Sequence, residues 1–162
     1  MGQMVAPEVR EEAERLRVAV VVADVRGAAA ALRIDAAMAR QTRRPDLLLF
    51  VADPGSVLPD MVAGEGQRHV IRAPGGAAAR RNAALDWLGG RYDIIVFYGE
   101  DFVPARTSIV GIERFFRTHP EIAGATGLIL AADADGGGLP AEAAEAVLER
   151  HESHESTPNC VV

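Results

Sequence analysis

Three short apolar runs, separated by alanine-rich stretches, constrain this chain most. Val18 to Val22 holds four valines in five positions, Leu47 to Ala52 contains no polar residue, and Ile94 to Tyr98 reads Ile-Ile-Val-Phe-Tyr. Runs of this length with no polar alternation are strands covered on both faces, as in a parallel sheet. Parallel strands need long crossovers, and the alanine-rich stretches between the runs supply them as helices.

The punctuation sets the order. The spacing predicts strands over Arg17 to Ala23 and Leu47 to Ala52, a short one over His69 to Arg72, and another over Ile94 to Tyr98. Ile122 to Leu130 is a further strand candidate. Between them the helical reading covers Ala28 to Gln41, stopped by Pro45; Ala77 to Leu88, stopped by Gly89-Gly90; and Ser108 to Thr118, with Ile109, Ile112, Phe115 and Phe116 on one face. The expected fold is α/β, a mostly parallel sheet with helices on both faces. Residues 1–16 form a charged helical lead-in, 17–131 the sheet domain, and 132–162 a Gly-rich hinge, a helix from about Pro140 to His151 and a polar tail.

At 162 residues and 49% hydrophobic, the chain can bury one real core but is short for two domains. A net charge of -6 argues against general nucleic-acid binding, which needs a surplus of clustered cations. The local cluster Arg40, Arg43, Arg44 reads as a solvated helix end. One cysteine, Cys160, leaves no disulfide framework within the chain. Neither a signal-like run nor a membrane span is visible, so the expected location is cytoplasmic.

In a parallel sheet, ligands bind beyond the carboxyl ends of the strands, so the residues just after each run are the ones to inspect. Asp24 follows the first, Asp53 the second, and Glu100 with Asp101 the fourth. Carboxylates gathered at one edge repel each other and any phosphate, so a bound cation is a natural counter-charge. The bland alternative is that each acid caps a helix or is solvated. His151, Glu152, His154 and Glu155 read as a frayed tail, Asp133-Ala134-Asp135 as a solvated turn, and His69 and His119 as ordinary surface or strand-end residues.

The order of these pieces resembles family 2 glycosyltransferases. The likeness rests on Val20 to Ala23, then Gln41-Thr42 before Pro45-Asp46, then Leu48 to Ser56. It continues through Ala77 to Leu85, with its Arg81-Asn82 pair, and through Tyr92 to Asp101; Phe115-Phe116, His119-Pro120-Glu121 and Gly124 to Gly127 follow in order. It covers Arg17 to Leu130. The resemblance implies the Rossmann-like, nucleotide-sugar-binding half of a GT-A fold, a Mg²⁺ or Mn²⁺ cofactor, and transfer of a sugar to an unknown acceptor. It assigns Asp53 to the nucleotide base, with Asp24 on the neighbouring loop, Arg81 and Asn82 near the base, Glu100 near the ribose, and Asp101, with Glu100, to the metal.

The chain departs from the family pattern in four places. Ala23-Asp24-Val25-Arg26 replaces the usual Pro-Thr-Tyr-Asn-like turn, Pro54 after Asp53 puts Gly55-Ser56 one residue out of the usual spacing, Gly99 stands where many members have a first aspartate, and no acceptor-half motif offers a catalytic base. A non-catalytic nucleotide-binding or assembly module that keeps the fold is therefore the alternative expectation, with self-association through surface the missing half would have covered. A receiver-like phosphate module with Asp24 and Asp53 as its acids is a third, but no lysine stands after the later strands.

Overall fold

The structure is a computed structural model that describes residues 15–59, 67–102 and 104–126. Its elements are β1 (Val18–Val25), α1 (Ala28–Ala39), β2 (Leu47–Ala52), β3 (Arg68–Arg72), α2 (Ala77–Leu88), β4 (Ile94–Tyr98) and α3 (Ser108–Thr118). The four strands form one sheet in the order β3-β2-β1-β4, and each neighbouring pair is parallel. The chain leaves β1 toward β2 and β3, then returns to place β4 on the other side of β1. The gap between the ends of β1 and β4 is thus the topological switch point, where the loops diverge and leave a crevice.

Strand alternation sorts the core into two layers. Val18, Val20 and Val22 of β1, Leu48 and Phe50 of β2, and Ile94, Val96 and Tyr98 of β4 pack with Ile34 and Met38 of α1 and Ile109 and Ile112 of α3. Ala19, Val21, Leu47, Leu49 and Val51 pack on the other face with Ala84 and Leu88 of α2. Every residue of β2 is buried, as expected of a strand flanked by two others and covered above and below.

The starts of the strands are held by acids. The Val18 N–H donates to the Asp46 carboxylate at 2.8 Å and the Arg17 N–H to the Asp93 carboxylate at 2.7 Å, so the residues preceding β2 and β4 grip the chain entering β1 from both sides. Buried Gln41 donates to the Ala105 carbonyl at 2.6 Å and accepts from the Ile109 N–H at 3.2 Å, fastening the end of α1 to the start of α3.

The arginine cluster corrects an expectation. Arg40 and Arg44 are exposed, but the Arg43 side chain is only 10% exposed and pairs with Asp46 at 2.9 Å and with buried Glu113 of α3. A guanidinium in that position is a structural bolt rather than a solvated helix end, because burial requires it to be paired. β1 also runs two residues past the expected Ala23. Residues 122–126 form no strand. The rest of the Ile122 to Leu130 candidate, the lead-in through residue 14, the Asp133-Ala134-Asp135 turn, the Pro140 to His151 helix and the tail lie outside the described residues.

Candidate functional site

The β1 strand does not end regularly. Ala23 pairs with Val51, but Val25 rather than Asp24 pairs with Ala52, so Asp24 is an extra, bulged residue. Its φ of 71° lies in the left-handed region, which aspartate tolerates better than most residues with a Cβ. Strict alternation would turn residue 24 toward α1 and α3. With the bulge, Val25 takes that place in the core, and the Asp24 carboxylate faces the α2 side instead. Bulges re-aim side chains in this way, often beside functional sites.

Asp24 meets Arg80 there. Arg80, Ala84 and Leu88 are the buried residues of α2, four apart and hence on one stripe of the helix. Arg80 is its first member and therefore lies at the strand ends, where its side chain is 8% exposed. Each guanidinium nitrogen is used: Nη1 donates to Asp24, Nη2 donates to Asp53 at 2.7 Å, and Nε donates to the Ala73 carbonyl at 3.2 Å. One side chain thus ties the chain leaving β1, β2 and β3. Asp53 stays more than half exposed, with its other oxygen accepting the Gly55 N–H at 3.2 Å. Exposed Arg72 closes the loop below it, donating to the Asp53 carbonyl at 3.1 Å and the Ser56 carbonyl at 2.6 Å.

Across the switch point lies a second link. The Glu100 carboxylate accepts the Arg26 backbone N–H at 2.8 Å, and the Glu100 carbonyl accepts from Arg33 of α1 at 2.7 Å. The Arg26 guanidinium lies between the two sides, 3.2 Å from Asp24 and 3.7 Å from Glu100. Asp101 is exposed, and its carboxylate makes no hydrogen bond or ion pair with the described residues. A Cβ at position 99 would meet Asp101 Oδ1 at 2.8 Å, so Gly99 leaves that carboxylate room beside the backbone.

The structure therefore brings Asp24, Asp53, Glu100 and Asp101 to the same edge, and it does so with arginines between them. The counter-charge that the sequence reading gives to a metal is supplied at Asp24 and Asp53 by Arg80, and at Asp24 and Glu100 by Arg26. No helix following these acids is capped by one: α1, α2 and α3 start after Gly27, Gly76 and Thr107, with no side-chain cap. Arg81 and Asn82 are both exposed. The Arg81 guanidinium lies 5.9 Å from the Phe97 ring centroid, and Asn82 has no hydrogen bond among the described residues. Arg80, next in sequence to the Arg-Asn pair, is the arginine that reaches the acids. The signal that finds it is its four-residue spacing to Ala84 and Leu88, which puts a charge on an apolar stripe.

No group of three or more His, Cys, Asp or Glu side chains positioned to hold a metal occurs among the described residues. Magnesium-type ions are often held by one or two carboxylates with substrate phosphates and water completing the shell, and Asp101, unpaired among the described residues and next to Glu100, fits that mode. A cavity of about 560 Å³ opens at the opposite edge of the sheet, lined in part by Asp35, Arg43, Pro45 and Arg68. Arg15, Arg43 and Arg68 of its lining are engaged by Asp46, Glu113 and Asp35, and it sits at the strand starts, away from the crevice that parallel sheets use. No helix among the described residues is long and apolar enough to cross a membrane.

No family model, curated protein or solved structure matches this chain.

Proposed function

We propose that this chain is a glycosyltransferase-like domain that binds a nucleotide-sugar donor at the carboxyl edge of its sheet and transfers the sugar to an acceptor. The observation that carries the reading is the convergence of Asp24, Asp53, Glu100 and Asp101 on one edge of an all-parallel sheet, on either side of its switch point. Asp53, half open to solvent, offers a carboxylate oxygen as acceptor for an N–H of a bound base. Asp101 with Glu100 would hold Mg²⁺ or Mn²⁺. When bound, the ion supplies Lewis-acid charge against the departing nucleoside diphosphate. The chain's own part is to orient: Arg80 sets the Asp53 carboxylate, and the Arg26–Glu100 link sets the spacing of the crevice walls.

Direct displacement also needs a base within hydrogen-bond reach of the acceptor hydroxyl. None is assigned among the described residues. A second reading, a nucleotide-binding or assembly module without turnover, is favoured by that gap and by the arginine pairing of Asp24 and Asp53. Thermal-shift measurements with UDP, GDP and their sugars, each with and without Mn²⁺, test the first reading. The expected outcome is a Mn²⁺-dependent rise in melting temperature that is lost in Asp101→Ala, since a ligand that binds only the folded state raises its stability. Binding without sugar transfer would favour the second reading, and no stabilisation by any nucleotide would sink the donor assignment.

A further inference from the structure

The chain has 17 arginines and no lysine, and at the carboxyl edge its arginines differ sharply in how firmly they are held. Arg80 spends each of its nitrogens on protein partners. Arg72 and Arg33 are committed to backbone carbonyls. Arg26 is different. Its side chain is 76% exposed, and it bridges Asp24 and Glu100 at the mouth of the switch-point crevice.

Release of the Arg26 guanidinium orphans neither carboxylate. Asp24 keeps Arg80, and Glu100 keeps the Arg26 backbone N–H. An exposed ion pair of this kind contributes little, because water solvates both partners and the side chain gives up rotamer freedom to make it. A phosphate offers the planar guanidinium two parallel, charge-assisted bonds, a bidentate geometry that its single contacts to Asp24 and Glu100 lack. We infer that Arg26 is an anion-binding side chain, which leaves Asp24 and Glu100 to take a diphosphate in the crevice without a metal ion, the charges of Arg26, Arg33, Arg72 and Arg80 together offsetting the four acids of the edge. The choice of a diphosphate rests on the donor-site reading, but the demand on Arg26 is separate from it. A divalent ion on Asp101 would tighten the same ligand from the other side of the crevice.

The test is calorimetric titration with inorganic pyrophosphate in buffer containing EDTA. It compares the wild-type chain with Arg26→Ala, Arg26→Lys and Arg114→Ala, the last removing an exposed arginine of α3 away from the crevice. The expected result is binding by the wild type, a loss of about tenfold or more in Arg26→Ala, a partial loss in Arg26→Lys, and none in Arg114→Ala. Melting temperature should be the same in all four, because Arg26 is solvated. Absence of pyrophosphate binding by the wild type in EDTA overturns the inference, as does equal affinity in Arg26→Ala and Arg114→Ala. Repeating the titrations with UDP and Mn²⁺ separates the two claims. Metal-free, Arg26-dependent pyrophosphate binding with no Mn²⁺ effect on UDP keeps this inference and removes the metal-assisted donor reading; the reverse pattern does the opposite.

Discussion

Arg80→Met deletes the hub of the carboxyl edge while keeping the length and much of the apolar stem of the side chain. The loss divides among three partners. Asp53, whose side chain is 52% exposed, regains water easily, so its share is that of a surface pair, about 0.5 kcal/mol. Asp24 is 28% exposed and held on a bulge that cannot easily turn it outward, so its charge-assisted bond is worth about 1.5 kcal/mol. The Ala73 carbonyl loses a neutral bond of about 1 kcal/mol. The sum is about 3 kcal/mol, which at a slope of about 1.5 kcal/mol per molar moves the urea midpoint down by about 2 M. Urea unfolding followed by circular dichroism measures it. Because Arg80 and Asp24 touch, Asp24→Asn should cost much less in the Arg80→Met background than in the wild type, with a coupling of about 1 kcal/mol. A midpoint shift worth less than about 0.5 kcal/mol, or strict additivity of the two changes, would refute the view of Arg80 as the bolt of this edge.

The left-handed backbone at Asp24 makes a second prediction. Asp24→Gly and Asp24→Ala both lose the ion pairs, but alanine also meets the Cβ strain of a positive φ, so the glycine variant should be the more stable by about 1 kcal/mol. That reverses the usual ranking inside a strand, and thermal unfolding of the two variants decides it. A third concerns acid. Burial pushes the Asp46 carboxyl up, but the Val18 N–H bond, the Arg43 bond and charge, and the Arg15 charge together outweigh it and hold it below its ordinary 3.8. A depressed folded-state value stabilises above the unfolded value and is lost as pH falls through the folded one. The stability gap between the wild type and Asp46→Asn should therefore be constant from neutral pH down to about pH 4 and close below it, as read from urea midpoints along the series. A gap that persists at the acid end would mean that Asp46 acts through packing rather than charge.

Much of the architecture was legible in the chain itself. The limits of β2, α2, β4 and α3 match the expected runs to the residue, because each is an uninterrupted pattern between strong punctuation: Asp46 and Asp53 around β2, Gly76 and Gly89 around α2. The carboxyl edge as the place where the acids gather also followed from the pattern, since a parallel sheet sends the chain after each strand to one side. The end of β1 did not, because a bulge is a choice between two pairings and depends on what lies beside the strand.

Hydrophobic period and turn residues act locally, and they alone set the sheet, its helices and the edge that carries Asp24, Asp53, Glu100 and Asp101. The pairing of charges came from packing: Arg80 rather than Arg81 reaches Asp24 and Asp53, Arg26 spans the switch point to Glu100, and Arg43 is bolted to Glu113 instead of facing water. Those partners are between 27 and 74 residues apart. Like any ion pair, each depends on distance and burial, which no local pattern carries and which exist only once the layers have packed.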